Sequence, residues 1–147
     1  MNRHAAVVAL VDDEPFILKL HARMLKDLGV SVCHAFESGA ATLDAIDRGL
    51  APDLIFLDLS MPGMDGIEFI RHLVQRSFAG SLILVSGEDS RLLETGERLV
   101  RAHGIRILGH ISKPVSRADL EGMIGGWEGG DPLPDLAGRA RYSPAEV

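Results

Sequence analysis

The sequence contains very little cysteine. Cys33 is the single cysteine among 147 residues, which excludes a disulfide bond within the chain. Sparse cysteine is compatible with the reducing cytoplasm, where thiols stay unpaired. We therefore expect a cytoplasmic location.

Basic residues are fewer than acidic ones. The chain has 15 Lys and Arg against 21 Asp and Glu, a formal net charge of −6 and a pI of about 5.4. Binding to nucleic-acid phosphates needs clustered Lys and Arg. The composition therefore argues against direct nucleic-acid binding and fits a protein that binds a cation locally.

Long hydrophobic runs are also absent. No apolar stretch approaches the roughly 18 residues that a membrane span requires, so we expect no membrane partner. The short apolar segment near the N-terminus runs directly into Asp12, Asp13 and Glu14, which is typical of a first strand and unlike a secretory signal. A hydrophobic content of 46% in 147 residues predicts one well-cored domain.

Apolar segments rich in β-branched residues alternate with segments of helical periodicity. Ser38 and Ser116 precede two helical patterns as N-cap residues, Asp65 and Glu68 resemble a capping box, and Gly29 ends the first helix. Strict alternation predicts a doubly wound α/β fold with a parallel sheet and right-handed crossovers. The five predicted strands are residues 5–11, 30–36, 53–57, 81–85 and 106–111.

The C-terminal segment differs in composition from the rest. We assign residues 1–126 to one domain and residues 127–147 to a Gly/Pro-rich linker. Near the end, Ser143, Pro144 and Glu146 form a strong helix-start signal. Two interpretations stay open: a disordered tail with a chance match, or a fragment cut where a downstream domain begins.

Polar residues follow the predicted strands at their carboxyl ends, where ligands bind in open α/β sheets. Asp12 and Asp13 follow the first strand, Asp58 the third, Ser86 the fourth and Lys113 the fifth. If the first and third strands are neighbours, three carboxylates converge, and their repulsion requires a cation. An oxygen-rich and partly hydrated site suits Mg²⁺.

The same residues suggest phosphoryl chemistry. A metal-held carboxylate at Asp58 can attack phosphorus and form an acyl phosphate. Lys113 would neutralise oxygens of the transferring group, and Ser86 would donate a hydrogen bond to one of them.

This set of residues, together with MPGMDG at 61–66 and Lys113-Pro114, resembles the receiver (CheY-like) domain of bacterial two-component response regulators over about residues 5–126. The resemblance implies a flavodoxin-like sheet of order 2-1-3-4-5 and Asp58 as phosphoacceptor. It implies Asp13, Asp58 and the Ser60 carbonyl as direct Mg²⁺ ligands, with Asp12 acting mainly through water. It also implies Ser86 as the switch hydroxyl, Lys113 as the phosphoryl contact and a cis bond before Pro114.

One position departs from the family pattern. Receivers usually carry Tyr or Phe three residues before the lysine, and its ring turns inward on phosphorylation. Here that residue is His110, which is smaller and can titrate near neutral pH. We consider His110 equally as a modified switch element and as an ordinary strand-end residue.

The resemblance implies a signalling switch phosphorylated by a histidine kinase or phosphotransfer protein. The surface of helix four, strand five and helix five would then act on a partner, a second copy of the chain or a downstream domain. Residues 86–114 also resemble receivers joined to EAL domains, which hydrolyse cyclic di-GMP. In that case the enzymatic output lies beyond this chain, which is itself an acceptor rather than an enzyme.

Two alternatives stay open from sequence. One is a receiver-like interaction module that is never phosphorylated, for which His110 is the only indication. The other is a Mg²⁺-dependent phosphatase of the haloacid-dehalogenase type. That class has Asp-x-Asp after its first strand, whereas this chain has Asp12-Asp13-Glu14 and no room for a cap.

Overall fold

A computed structural model describes residues 6–61, 64, 66–87 and 90–125. The predicted linker, the helix start at Ser143 and the predicted cap at Asp65 lie outside these residues. Five strands alternate with five helices along the chain. They are β1 Val7–Val11, α1 Pro15–Asp27, β2 Val32–Phe36, α2 Gly39–Asp47, β3 Leu54–Asp58, α3 Gly66–Gln75, β4 Ser81–Ser86, α4 Ser90–Ala102, β5 Arg106–Ser112 and α5 Arg117–Ile124.

All five strands are parallel and form one sheet of order β2-β1-β3-β4-β5. The predicted doubly wound α/β fold and its strand order are thus confirmed. Because β1 lies beside β3, with Val11 paired to Leu57, the carboxyl ends of these two strands meet at one edge of the sheet. The order changes direction at β1, where such folds bind ligands.

Helices cover both faces of the sheet. On one face Leu18 and Leu25 of α1 and Leu120 of α5 pack against the strands, while on the other Leu43 of α2 and Phe69 of α3 do so. Every residue of β3 and β4 is buried. This two-sided burial explains why their sequences are continuous apolar runs rather than alternating ones.

The helix boundaries follow local chemistry. The Ser38 hydroxyl accepts from the Ala41 N–H at 3.1 Å, and Ser116 forms a capping box with Asp119. Gly29, which follows the C-cap residue Leu28 of α1, adopts φ 100°, a left-handed conformation that glycine reaches without strain. The predicted starts of α2 and α5 and the end of α1 agree with these caps.

Strand boundaries differ from the predictions by one or two residues. β2 begins at Val32 rather than residue 30, and β3 runs on to include Asp58. As an edge strand, β2 is partly exposed, and the side chain of its first residue, Val32, is 37% exposed. None of the helices in the described part of the chain is long and apolar enough to cross a bilayer.

Candidate functional site

Three carboxylates lie together at the carboxyl edge of the sheet. Asp12 and Asp13 follow β1, and Asp58 ends β3. One carboxylate oxygen from each lies within 4.8 Å of the others. The pairing of β1 with β3 is the cause, because it brings the ends of two strands that are distant in sequence to one point.

Two of these acids are almost fully buried. Asp58 is 1% exposed and Asp12 is 3% exposed. Main-chain amides bind one oxygen of each, since Ser60 N–H donates to Asp58 Oδ1 and Glu14 N–H donates to Asp12 Oδ1, both at 3.0 Å. These contacts fix the orientation of both carboxylates.

Lys113 binds the remaining oxygens. Its Nζ lies 3.0 Å from Asp58 Oδ2 and 3.4 Å from Asp12 Oδ2. The Lys113 main-chain N–H donates to the Ser86 carbonyl at 2.8 Å, and the bond to Pro114 is cis, as the resemblance implied. The end of β5 is therefore attached to the end of β4 where its lysine reaches the acids.

The site is electrostatically unbalanced. Burial, with a smaller contribution from the negative charge of Asp58, raises the pKa of Asp12 above its ordinary value although the Glu14 amide and Lys113 oppose this. Burial alone would lower the pKa of Lys113, but its hydrogen bond to Asp58 and the charges of Asp58 and Asp12 raise it. With all four groups ionised, three carboxylates and one ammonium leave two negative charges, which one divalent cation would balance.

The donor set fits a hard divalent cation. The clustered ligand atoms are all carboxylate oxygens, and Asp13 is only half-buried, which leaves access for water. Mg²⁺ prefers such oxygen ligands and keeps several waters. The residue predicted to add a carbonyl ligand, Ser60, is exposed and follows Asp58 by two positions; its role as a ligand stays a prediction.

Ser86 ends β4 with its side chain buried. Asp58 pairs with Val85, the residue before it, and Leu59 N–H donates to the Val85 carbonyl at 2.9 Å. The structure thus places the Ser86 hydroxyl at the same sheet edge as the acids.

Residues 8–125 match the family model of the response regulator receiver domain. The chain belongs to this family. A receiver is a phosphoacceptor signalling domain, so the match also identifies the general class of function.

Individual relatives and a solved structure agree with this family assignment. The receiver is 34% identical over 115 residues to the positive alginate biosynthesis regulatory protein of Pseudomonas aeruginosa, covering 77% of this chain and 43% of that protein. It is 33% identical over 115 residues to a protein-glutamate methylesterase/protein-glutamine glutaminase of Oleidesulfovibrio alaskensis, covering 78% of this chain and 30% of that protein. The chain thus spans less than half of either relative. A response regulator structure from Colwellia psychrerythraea superposes with a TM-score of 0.70 at 33% identity, covering 82% of this chain and 94% of that one.

His110 of this receiver contacts a carboxylate of helix α4. It belongs to β5, three residues before Lys113, and its side chain is 49% exposed. Its Nδ1 lies 3.0 Å from Oε2 of Glu97 on α4. Sequence reasoning missed Glu97, because acids on an amphipathic helix are common and nothing in the local pattern shows which strand residue they face.

His21 lies on the other side of the site. It is 4% exposed, its ring contacts Phe56 edge-on with centroids 5.1 Å apart, and it lines a narrow pocket together with Asp12 and Asp58. Burial, with a smaller contribution from Lys113, lowers its pKa to about 4. Helical spacing cannot indicate how near the acids His21 lies, because that depends on how α1 packs on β3.

Proposed function

We propose that this receiver accepts a phosphoryl group on Asp58 in a Mg²⁺-dependent reaction. The observation that carries the proposal is the arrangement of Asp58 itself. One oxygen is bound by the Ser60 amide and the other by Lys113, beside two further carboxylates. A buried acid with this environment is oriented for attack and already has a cation where negative charge would develop.

In the proposed step one Asp58 oxygen attacks phosphorus and forms a new P–O bond. The bond from phosphorus to the donor breaks, and its electron pair leaves with the donor, which is an imidazole nitrogen of a phosphohistidine or the carboxylate of a small acyl phosphate. Asp58 needs no proton transfer because it reacts as carboxylate. The product is an acyl phosphate on the protein.

The other site residues have distinct proposed roles. Asp13, Asp58 and the Ser60 carbonyl would bind Mg²⁺ directly, and Asp12 would act mainly through water. When bound, Mg²⁺ would supply positive charge beside the transferring oxygens. Lys113 would move its contact from the Asp58 oxygen to a phosphoryl oxygen, and the Ser86 hydroxyl would donate to another.

The output would be a change in the surface formed by α4, β5 and α5. The phosphoryl group adds charge and strong acceptors at Asp58, and both Ser86 and Lys113 lie at ends of strands that neighbour this surface. A partner protein, a second copy of the chain or a downstream domain would read it. An EAL domain and cyclic di-GMP signalling stay predictions from sequence, as do the domain boundary at residue 126 and the cytoplasmic location.

The donor would be a histidine kinase or a phosphotransfer protein. Such a partner must bring a phosphohistidine to Asp58 at the carboxyl edge of the sheet. Phe16, in the first turn of α1 and three residues after Asp13, is 74% exposed, and Leu20 follows one turn later at 37%. Exposed apolar residues beside a reactive group are typical of a docking surface.

A second candidate, an interaction module that is not phosphorylated, is favoured by one observation. His110 replaces the usual aromatic switch residue and is engaged by Glu97. Such a module would bind its partner through the same surface with no dependence on phosphate. A phosphorylation measurement separates the two candidates.

The test is intact mass after incubation with Mg²⁺ and acetyl phosphate. We expect one added phosphoryl group that is labile to base or hydroxylamine, absent in Asp58→Asn and absent with EDTA. Asp44→Asn is the matched control, since Asp44 is an exposed acid on α2 paired with Arg48, and it should be phosphorylated like the parent protein.

Two results would contradict the proposal. No adduct with acetyl phosphate or with any phosphorylated histidine kinase tested would favour the interaction module. Phosphorylation that persists in Asp58→Asn would place the acceptor elsewhere.

A further inference from the structure

The contact between His110 and Glu97 joins two elements of the proposed output surface. His110 Nδ1 and Glu97 Oε2 are 3.0 Å apart, and the Glu97 side chain is 25% exposed. This contact joins a side chain of β5 to an acid of α4. It links β5, the strand that leads to Lys113, to the helix that follows Ser86.

The strand register determines which face His110 belongs to. His110 pairs with Leu84 of β4, which packs in the cluster beneath α3 and α4, whereas the next residue, Ile111, packs in the opposite cluster. Because successive side chains of a strand alternate between faces, the His110 side chain stands on the α4 side. The ring lies turned outward on that side, toward Glu97.

Helix α4 approaches β4 closely at the residue before Glu97. A side chain added at Gly96 would meet Leu84 Cδ1 at 3.5 Å and Leu59 Cδ1 at 3.6 Å. The backbone of α4 next to Glu97 is therefore packed against the sheet.

The same strand leads directly to the phosphoryl site. Ser112 pairs with Ser86, and the Lys113 N–H donates to the Ser86 carbonyl at 2.8 Å. A shift of the end of β5 toward a phosphoryl group on Asp58 would therefore change the position of His110, three residues earlier. The contact with Glu97 opposes such a shift.

We propose that Glu97 is a positioning residue that holds the His110 ring outward and so restrains this receiver in its unphosphorylated arrangement. The inference rests on the proposed function and deepens it. The restraint does not require a charged ring, because Nδ1 carries a proton both in imidazolium and in one neutral tautomer. Binding of a phosphoryl group and release of this contact are then coupled and reciprocal.

The test measures binding of a stable phosphoryl mimic, beryllium fluoride with Mg²⁺, to the full chain. Reciprocal coupling predicts that Glu97→Ala tightens the Kd about two- to fivefold, the range expected for loss of one exposed ion-pair contact. Glu97→Gln should have a smaller effect, since its amide oxygen still accepts a hydrogen bond. Glu94→Ala removes an exposed acid one turn earlier on α4 and should leave the Kd unchanged.

Two further measurements show whether the effect acts through His110. In the His110→Ala background, Glu97→Ala should change the Kd no further. In the parent protein, ¹⁵N shifts of the imidazole should show a protonated Nδ1 that is lost in Glu97→Ala and kept in Glu94→Ala. If Glu97 acted only on the stability of the fold, the double-variant comparison would show no coupling with His110. The imidazole ¹⁵N shifts would also stay unchanged in Glu97→Ala.

The outcomes distinguish the proposed role of Glu97 from the proposed phosphorylation of Asp58. Equal Kd values for Glu97→Ala and the parent, or tightening that persists in the His110→Ala background, would overturn the role of Glu97 while Asp58 remains the acceptor. Failure of the mimic to bind the parent protein any better than Asp58→Asn would overturn the proposed function and this inference together.

Discussion

A buried histidine lies behind the proposed phosphoryl site. His21 packs edge-on against Phe56 and shares a pocket with Asp12 and Asp58. Burial favours the neutral ring and, together with Lys113, lowers its pKa from 6.5 to about 4. Unfolding exposes the ring and restores its ordinary pKa, so the unfolded chain binds more protons between these two values.

Stability should therefore fall as the pH drops from about 6.5 to about 4. The contribution of this residue is roughly 3 kcal/mol at most over that range. In His21→Leu the charge change is absent, so the free energy of unfolding should decline less over the same interval. Urea denaturation of both proteins across this pH range measures the difference.

His103→Gln is the control for this prediction. His103 is exposed just after α4. Its replacement should therefore give the same pH dependence of the free energy of unfolding as the parent. Identical pH profiles for His21→Leu and the parent would show that burial of His21 does not contribute to acid sensitivity.

At the scale of elements, the sequence predicted most of what positions the site. Asp12, Asp13, Asp58 and Lys113 each follow an apolar strand, and parallel strands bring their carboxyl ends to one edge. That reasoning needs only the alternation of strands and helices. The strand order came from the family resemblance, because periodicity does not show which strands are neighbours.

Contacts between side chains of different elements could not be predicted in this way. The pair of His110 with Glu97 depends on the rotation of α4 about its axis and on its distance from β5. The nearness of His21 to the acids depends likewise on how α1 packs on β3. Sequence spacing indicates which face of a helix is apolar, but not the partner across the interface.

The exposed start of α1 leads to a prediction about the phosphodonor. Phe16→Ala should lower kcat/KM about tenfold or more for transfer from a phosphorylated histidine kinase, because an exposed Phe beside the site would be buried in that complex. Phosphorylation by acetyl phosphate should not change, since a small donor needs no docking surface. Quantifying both reactions separates docking from chemistry.

Val32→Ala is the matched control. Val32 is 37% exposed, but it begins β2 at the opposite end of the strands from the acids. It should not affect either reaction. If Phe16→Ala slowed both donors equally, the residue would act on the site itself rather than on partner binding.

At the scale of the whole molecule, ion pairs connect the helices on each face of the sheet. Arg117 of α5 binds Asp27 of α1 at 2.7 Å. Arg76, the residue after α3, binds both carboxylate oxygens of Asp47 on α2, at 2.8 and 3.1 Å. These pairs are satisfied at the surface, whereas the acids of the candidate site have one lysine for three carboxylates. The site therefore reduces the stability that the rest of the fold provides.

Burial of Asp12 contributes to this cost. The pKa of Asp12 is raised above its ordinary value of 3.8, mainly by burial. The native state thus binds its proton more tightly than the unfolded state, so stability is lost as pH rises above about 3.8. At neutral pH in EDTA, Asp12→Asn should raise the free energy of unfolding by about 0.5–2 kcal/mol.

Added Mg²⁺ should reverse the order of stability of the parent and Asp12→Asn. A cation that binds only the native state stabilises it by mass action, and Asp12→Asn weakens the oxygen ligand set, so the Tm of the parent should rise more with added Mg²⁺ than that of the variant. Asp44→Asn should follow the parent in both buffers. A lower stability of Asp12→Asn in EDTA would mean that the contacts of Asp12 with the Glu14 amide and Lys113 outweigh its burial and repulsion.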